Sequence, residues 1–195
     1  GGRFKAIRKP PEGWPLTAKA AAQVAQFSED ENPMVQCIYG GPPRSMLAPM
    51  SFHLAKHDNN TITIHRDLWP KPRVVHMDKN HTATDATSWG HSVGWYEGDE
   101  LVVKTTDFVA EKWGMYTGIS SSEQKHLIER YSLSEGGLRL DVKITITDPE
   151  YLTEPMTITH QWGKAPDREV VTAPCSLDTA WLYLPGGYKP KSDKK

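Results

Sequence analysis

The sequence predicts an all-β domain, an eight-stranded antiparallel up-and-down β-barrel of lipocalin-like type with a short N-terminal helix. Two observations carry this. From Ser51 to Trp162, short apolar or alternating runs rich in β-branched and aromatic residues recur eight times between turn signals. Between most of these runs there is no room for a crossover of about ten residues or more, which favours antiparallel neighbours. Eight strands is also a number at which a closed barrel can hold one small ligand.

Thr17–Phe27 is the only strong helix candidate, with its alanines favouring helix and Thr17 placed to cap it. The Pro- and Gly-rich stretch Asn32–Met50 reads as a loop wrapping the body. Ser51–Lys56 and Thr61–Arg66 flank the turn 57–60, and Arg73–Asp78 is a valine-rich third strand. His91–Tyr96 and Leu101–Thr106 flank Glu97-Gly98-Asp99-Glu100. Gln124–Leu133 and Leu138–Thr147 flank Ser134-Glu135-Gly136-Gly137, and Met156–Trp162 closes the series. The chain thus divides into a helix and wrapping loop at 1–50, a barrel at 51–163 and a C-terminal extension at 164–195, ending in the lysine-rich tail Lys189–Lys195.

With 195 residues the chain is one domain's worth, and its formal net charge is −1. It lacks the basic excess of a general nucleic-acid binder. No apolar run approaches the ~18 residues needed to span a bilayer. The two cysteines, Cys37 and Cys175, form no CxxC pair and are too few for a four-cysteine zinc site. They allow either one long-range disulfide, in an oxidising compartment, or two buried free thiols.

In a meander, successive loops alternate between the two ends. One end receives 67–72, 97–100 and 134–137, all short. The other receives 57–60, 79–90, 107–123 and 148–155, and the two longest reach a length typical of functional loops. This pattern describes a cup with an elaborated rim. His57, His81, His91 and His126, four of the eight histidines, map to that rim.

The densest polar group is His76-Met-Asp78-Lys-Asn-His81. In a strand His76 and Asp78 share a face, so the carboxylate can orient an imidazole and raise its pKa. His81, His91 and Asp78 could together close a metal site, but spacings of three and ten match no standard zinc pattern, so no metal is expected. In Leu127-Ile-Glu129-Arg130-Tyr131, Glu129 and Tyr131 share a face with Leu127. A carboxylate on an apolar face is either paired structurally or kept for acid–base work. Trp89, Trp95, Trp113 and Tyr116, with His126, cluster toward the rim as ligand-wall candidates. GxGxxG, GxxxxGK[ST], GxSxG and HExxH are all absent, which disfavours dinucleotide, phosphoryl-transfer and serine-hydrolase chemistry.

The run His76–His81, followed by Gly90-His-Ser-Val-Gly-Trp-Tyr-Glu-Gly-Asp-Glu-Leu-Val-Val-Lys-Thr-Thr-Asp-Phe108, resembles the signature of a large family of exported, mostly uncharacterised bacterial proteins. The likeness extends to Leu16–Phe27, Cys37 with Gly40–Arg44, Glu129–Tyr131, Ile146–Glu150 and Cys175. It departs at Lys79-Asn80, where the family more often carries Gly-Arg, and at Lys104, where an aspartate is common. The resemblance implies a removed signal peptide, a periplasmic or secreted location, and a Cys37–Cys175 disulfide tying back the C-terminal extension. It implies no reaction.

The expectation is therefore a cofactor-free enzyme acting on a small, partly hydrophobic organic molecule in the barrel mouth, as a lyase, hydratase or isomerase. His81 or His91 would be the base, Asp78 the orienter beside His76, and Glu129 or Tyr131 the proton donor or polariser. The alternatives are a non-catalytic carrier with the same barrel, and a structural or metal-handling module.

Overall fold

The computed structural model describes residues 13–28, 31–48, 50–58, 60–171 and 174–181. The end of the extension, residues 182–195 with the lysine-rich tail, lies outside the described residues. Helix α1 (Ala18–Ala25) forms where alanine is dense, and the Thr17 side chain accepts a hydrogen bond from the Ala20 amide. The wrapping segment carries a 3-10 turn at Pro33–Gln36 and a single helical turn, α2 (Arg44–Leu47), after a cis Pro42–Pro43 bond. The strands are β1 (Phe52–Lys56), β2 (Thr61–Arg66), β3 (Arg73–His76), β4 (His91–Glu97), β5 (Glu100–Thr106), β6 (Glu111–Tyr116), β7 (Ile119–Ser121), β8 (His126–Ser134), β9 (Arg139–Thr147) and β10 (Met156–Gly163). A short helix, α3 (Leu177–Trp181), follows Cys175.

All eight strands read from the sequence join one sheet, in the order β1-β2-β3-β4-β5-β8-β9-β10. Two features depart from an antiparallel lipocalin-like barrel. First, β3 and β4 pair in parallel, Val75 with Ser92 and His76 with Val93. The segment 77–90 is long enough to carry the chain back across the sheet, so it is a crossover and not a rim loop. Second, the sheet is open. It curls until its edges approach without pairing as a ladder among the described residues: the Phe52 and Trp162 rings stand 4.7 Å apart at 90°, and the Trp162 indole donates to the Met50 carbonyl at 3.3 Å. The remaining excursion, 107–125, contains the β6–β7 hairpin outside the main sheet.

The parallel junction also redistributes the loops. Segments 107–125 and 148–155 share an end with the short 67–72 connection, whereas 57–60 lies at the opposite end beside 97–100 and the β8–β9 turn. The four expected rim histidines therefore do not gather at one opening.

Alternation along the strands places Val75, Leu101, Val103, Leu127, Val142, Ile144 and Ile146 on the concave face, where all are buried. Ala20 of α1, Met46 of α2, Phe108, Met115, Ile119 and Leu152 join them in one apolar cluster. This packing fills the inside of the curl. Cys37 and Cys175 are bonded and clamp the wrapping segment to the C-terminal extension. Among the described residues no helix is long and apolar enough to cross a membrane.

Candidate functional site

Three imidazoles meet on the convex face of the sheet. His76 ends β3 and His91 begins β4, and the parallel junction sets these strands side by side. Their neighbours Val75 and Ser92 point inward and are buried, so His76 and His91 point outward. His81 arrives from the crossover, where its amide donates to the Asp78 carbonyl at 3.0 Å and closes a turn. The His76 and His81 rings stack at 3.6 Å with an 8° interplanar angle, and His91 lies 5.2 Å and 5.0 Å from them, centroid to centroid. His81 Nδ1 and His91 Nε2 are 3.2 Å apart. One ring nitrogen from each of the three residues falls within 4.8 Å of the others.

Gly90 positions His91. Its φ is +67°, and a Cβ there would stand 2.7 Å from the Phe108 ring and from the Thr106 carbonyl oxygen. Only glycine lets the chain turn into β4 against Phe108.

Beside the rings is an open cleft lined by Asn60, His76, Met77, Asp78, Lys79 and His81. Lys79 Nζ sits 4.4 Å above the Trp95 ring, whose indole nitrogen donates to Glu97 at 2.8 Å. Asp78 does not complete the cluster in the way the sequence suggested. Its carboxylate accepts from the Asn80 amide at 2.9 Å, and the third imidazole is His76. Partial burial, helped by the neighbouring His81 and His91, pushes the His76 pKa down, which favours the neutral, metal-ready imidazole.

Glu129 and Tyr131 lie on the opposite, concave face. Arg73 crosses beneath β4 and β5 to reach them: it forms a two-pronged ion pair with Glu129, donates to Ser92 Oγ at 2.9 Å and to Thr105 Oγ1 at 2.5 Å. The Tyr131 hydroxyl donates to Glu129 Oε1 at 2.9 Å. Burial drives the Tyr131 pKa far above its usual value, with the Glu129 charge adding to it. With both oxygens engaged and 0% exposure, Glu129 serves as the core's counter-ion, and the sheet separates it from the histidines.

The aromatic candidates also separate. Trp113 is buried against Phe27 at 5.3 Å, with the Arg44 guanidinium 5.7 Å from its ring, and Tyr116 packs on Trp14 at 5.2 Å. Trp89 is half-buried on the concave side, and His126 opens β8 opposite Thr147. Of the wall candidates Trp95, on β4, shares the convex face and the strand of His91; His126 also faces the convex side, opposite in parity to buried Leu127 and Glu129, but starts β8, two strands away from β4.

Sequence reasoning overlooked Arg66 and Arg73. Arg66 shares strand parity with Ile62 and Ile64, and Arg73 with Val75. A cation on an apolar face is the same signal that singled out Glu129. Comparison of the chain with protein-family models, curated proteins and solved structures finds no match.

Proposed function

We propose that the chain is a small exported enzyme that holds one divalent transition-metal ion on His76, His81 and His91 and acts on a small organic molecule in the adjoining cleft. One observation carries this reading: three neutral-capable imidazoles from two strands and a crossover converge within 4.8 Å. Two nitrogens bound tetrahedrally at about 2.05 Å stand about 3.3 Å apart, close to the 3.2 Å between His81 and His91. Rotation of the exposed His81 ring can take up the remaining distance. Imidazole donors select zinc, copper or nickel over magnesium or calcium. A three-histidine set leaves a coordination position free, as catalytic sites do.

Such an ion would supply Lewis-acid activation of water or a carbonyl, suited to a hydratase, lyase or hydrolase. The chain's own residues hold and orient. His76 and His91 are fixed by the sheet, His81 by its turn, and Lys79 on Trp95 presents a cation at the cleft edge to an anionic substituent. The disulfide supports an oxidising, extracytoplasmic location, in line with the resemblance to exported bacterial proteins.

The test is elemental analysis and metal titration of tag-free protein. One zinc or copper ion per chain is expected, lost in His81→Ala and His91→Ala while circular dichroism is unchanged. Absence of stoichiometric metal, together with no uptake at micromolar zinc or copper, would overturn the metal reading.

A second reading rests on the 3.2 Å contact between His81 Nδ1 and His91 Nε2, with the latter also 3.2 Å from the His81 carbonyl oxygen. A hydrogen-bonded imidazole pair can pass a proton without any ion, giving cofactor-free acid–base catalysis. Turnover that survives chelation supports this second reading against the first.

A further inference from the structure

The concave side holds a second polar site, independent of the histidine cluster. Two guanidinium groups, Arg66 and Arg73, are buried there, and Arg73 engages both oxygens of Glu129. Arg66 is 4% exposed. Its Nη2 donates to the Ala48 carbonyl at 2.6 Å, and its Cζ stands 5.6 Å from the Phe52 ring centroid. Its Nε and Nη1 have no hydrogen-bond partner among the described residues. The adjacent carboxylate, Asp67, is taken by the Val171 amide at 2.9 Å and Arg168 at 3.1 Å.

Arg66 lines a cavity of about 10 Å³ together with Ser45, Trp69, Lys71, Arg73 and Trp89. That is room for one water-sized body. Three cationic side chains line it, and among the described residues the one carboxylate bonded to any of them, Glu129, is bonded to Arg73. A buried charge is tolerated when it is paired, and a buried N–H when it is hydrogen-bonded. Among the described residues no carboxylate bonds Arg66: Asp67 and Glu129 act on its charge only at a distance, and its Nε and Nη1 stay without a hydrogen-bond partner. Lys71 is exposed and adds positive potential at the cavity wall, which draws anions toward it. We infer that this cavity binds one small monatomic anion, a halide, on the Arg66 guanidinium.

Burial pulls the Arg66 pKa down to about 10, so the group is still charged at neutral pH and in need of a counter-ion. His160, whose Nε2 also has no hydrogen-bond partner among the described residues, is pushed down in pKa by burial and by the Arg66 charge, which favours its neutral form and adds no positive charge to the site.

The test combines crystals and solution. Wild-type crystals soaked in sodium bromide should show an anomalous peak within hydrogen-bond distance of the Arg66 guanidinium; water alone there would overturn the proposal. In solution, thermal midpoints are followed against chloride and against formate at constant ionic strength, with sulfate, too large for the cavity, as balancing salt. A saturable rise of about 3 °C with chloride supports the halide site, whereas a rise with formate and none with chloride would overturn it. Arg66→Met should abolish the chloride rise while remaining folded. If that variant does not fold, Arg66→Lys, which keeps the charge and alters the donor geometry, should bind at least tenfold more weakly. No saturable response in the wild type, or the same response in a folded variant, would also overturn the proposal.

Discussion

His91 Nε2 lies 3.2 Å from His81 Nδ1, although ten positions separate the two residues in the chain. The contact exists because the crossover 77–90 folds back over the convex face and returns the chain parallel to β3. Replacing His76 or His91 with alanine should lower zinc affinity by about 100-fold or more, since even residues that only support a ligand contribute 10–100-fold. Isothermal titration with zinc checks this. His126→Ala, at the start of β8, should leave the affinity unchanged.

Gly90→Ala forces a Cβ against Phe108 and the Thr106 carbonyl in a left-handed conformation. It should destabilise the protein by about 2 kcal/mol and weaken metal uptake by displacing His91. Urea denaturation and metal titration on the same variant report both effects.

Glu129→Gln leaves Arg73 buried without a counter-charge and should cost about 3–5 kcal/mol of stability. The double replacement Arg73→Met with Glu129→Leu should recover most of that loss, because it removes both charges from the core. Chemical denaturation distinguishes the two outcomes. An Arg73–Glu129 pair without structural weight would leave the single variant near wild type.

The Cys37–Cys175 bridge closes a loop of 138 residues. By the chain-entropy relation its removal should cost about 4–5 kcal/mol. Cys37→Ser with Cys175→Ser should lower the denaturation midpoint accordingly, and dithiothreitol should lower the wild type to the same value.

Lys125 is buried, with Nζ donating to the Pro42 carbonyl at 3.0 Å and to Ser121 Oγ at 3.1 Å and lying 4.0 Å from the Phe108 ring centroid. Burial lowers its pKa from 10.5 to about 8. The unfolded chain therefore binds this proton more tightly, and the folded state loses stability as pH falls from 10.5 to 8. The full effect is roughly 3 kcal/mol. Stability measured across that window should rise with pH in the wild type, and the rise should be smaller by this amount in Lys125→Met.

The strands were legible because their signal is local: β-branched alternation and turn residues mark β1 through β5 and β8 through β10 within windows of a few residues. Helix α1 was legible for the same reason, from its alanines and Thr17. The parallel β3–β4 junction was not, because a long segment reads alike whether it is a rim loop or a crossover. That one reversal of direction decided where the loops fall, and with them which histidines could meet. The β6–β7 hairpin was hidden within a Gly-containing stretch whose register shifts between Glu111 and Tyr116.

The sequence by itself determined that this is a β-rich domain with a polar group at His76–His81 and a carboxylate, Glu129, on an apolar strand face. Only the tertiary structure decided that the histidines and Glu129 occupy opposite faces of one sheet, that Arg73 answers Glu129, and that Arg66 has no such answer. Side-chain parity along a strand follows from two-residue alternation, but which strands lie side by side is set by long-range pairing, which no local pattern records.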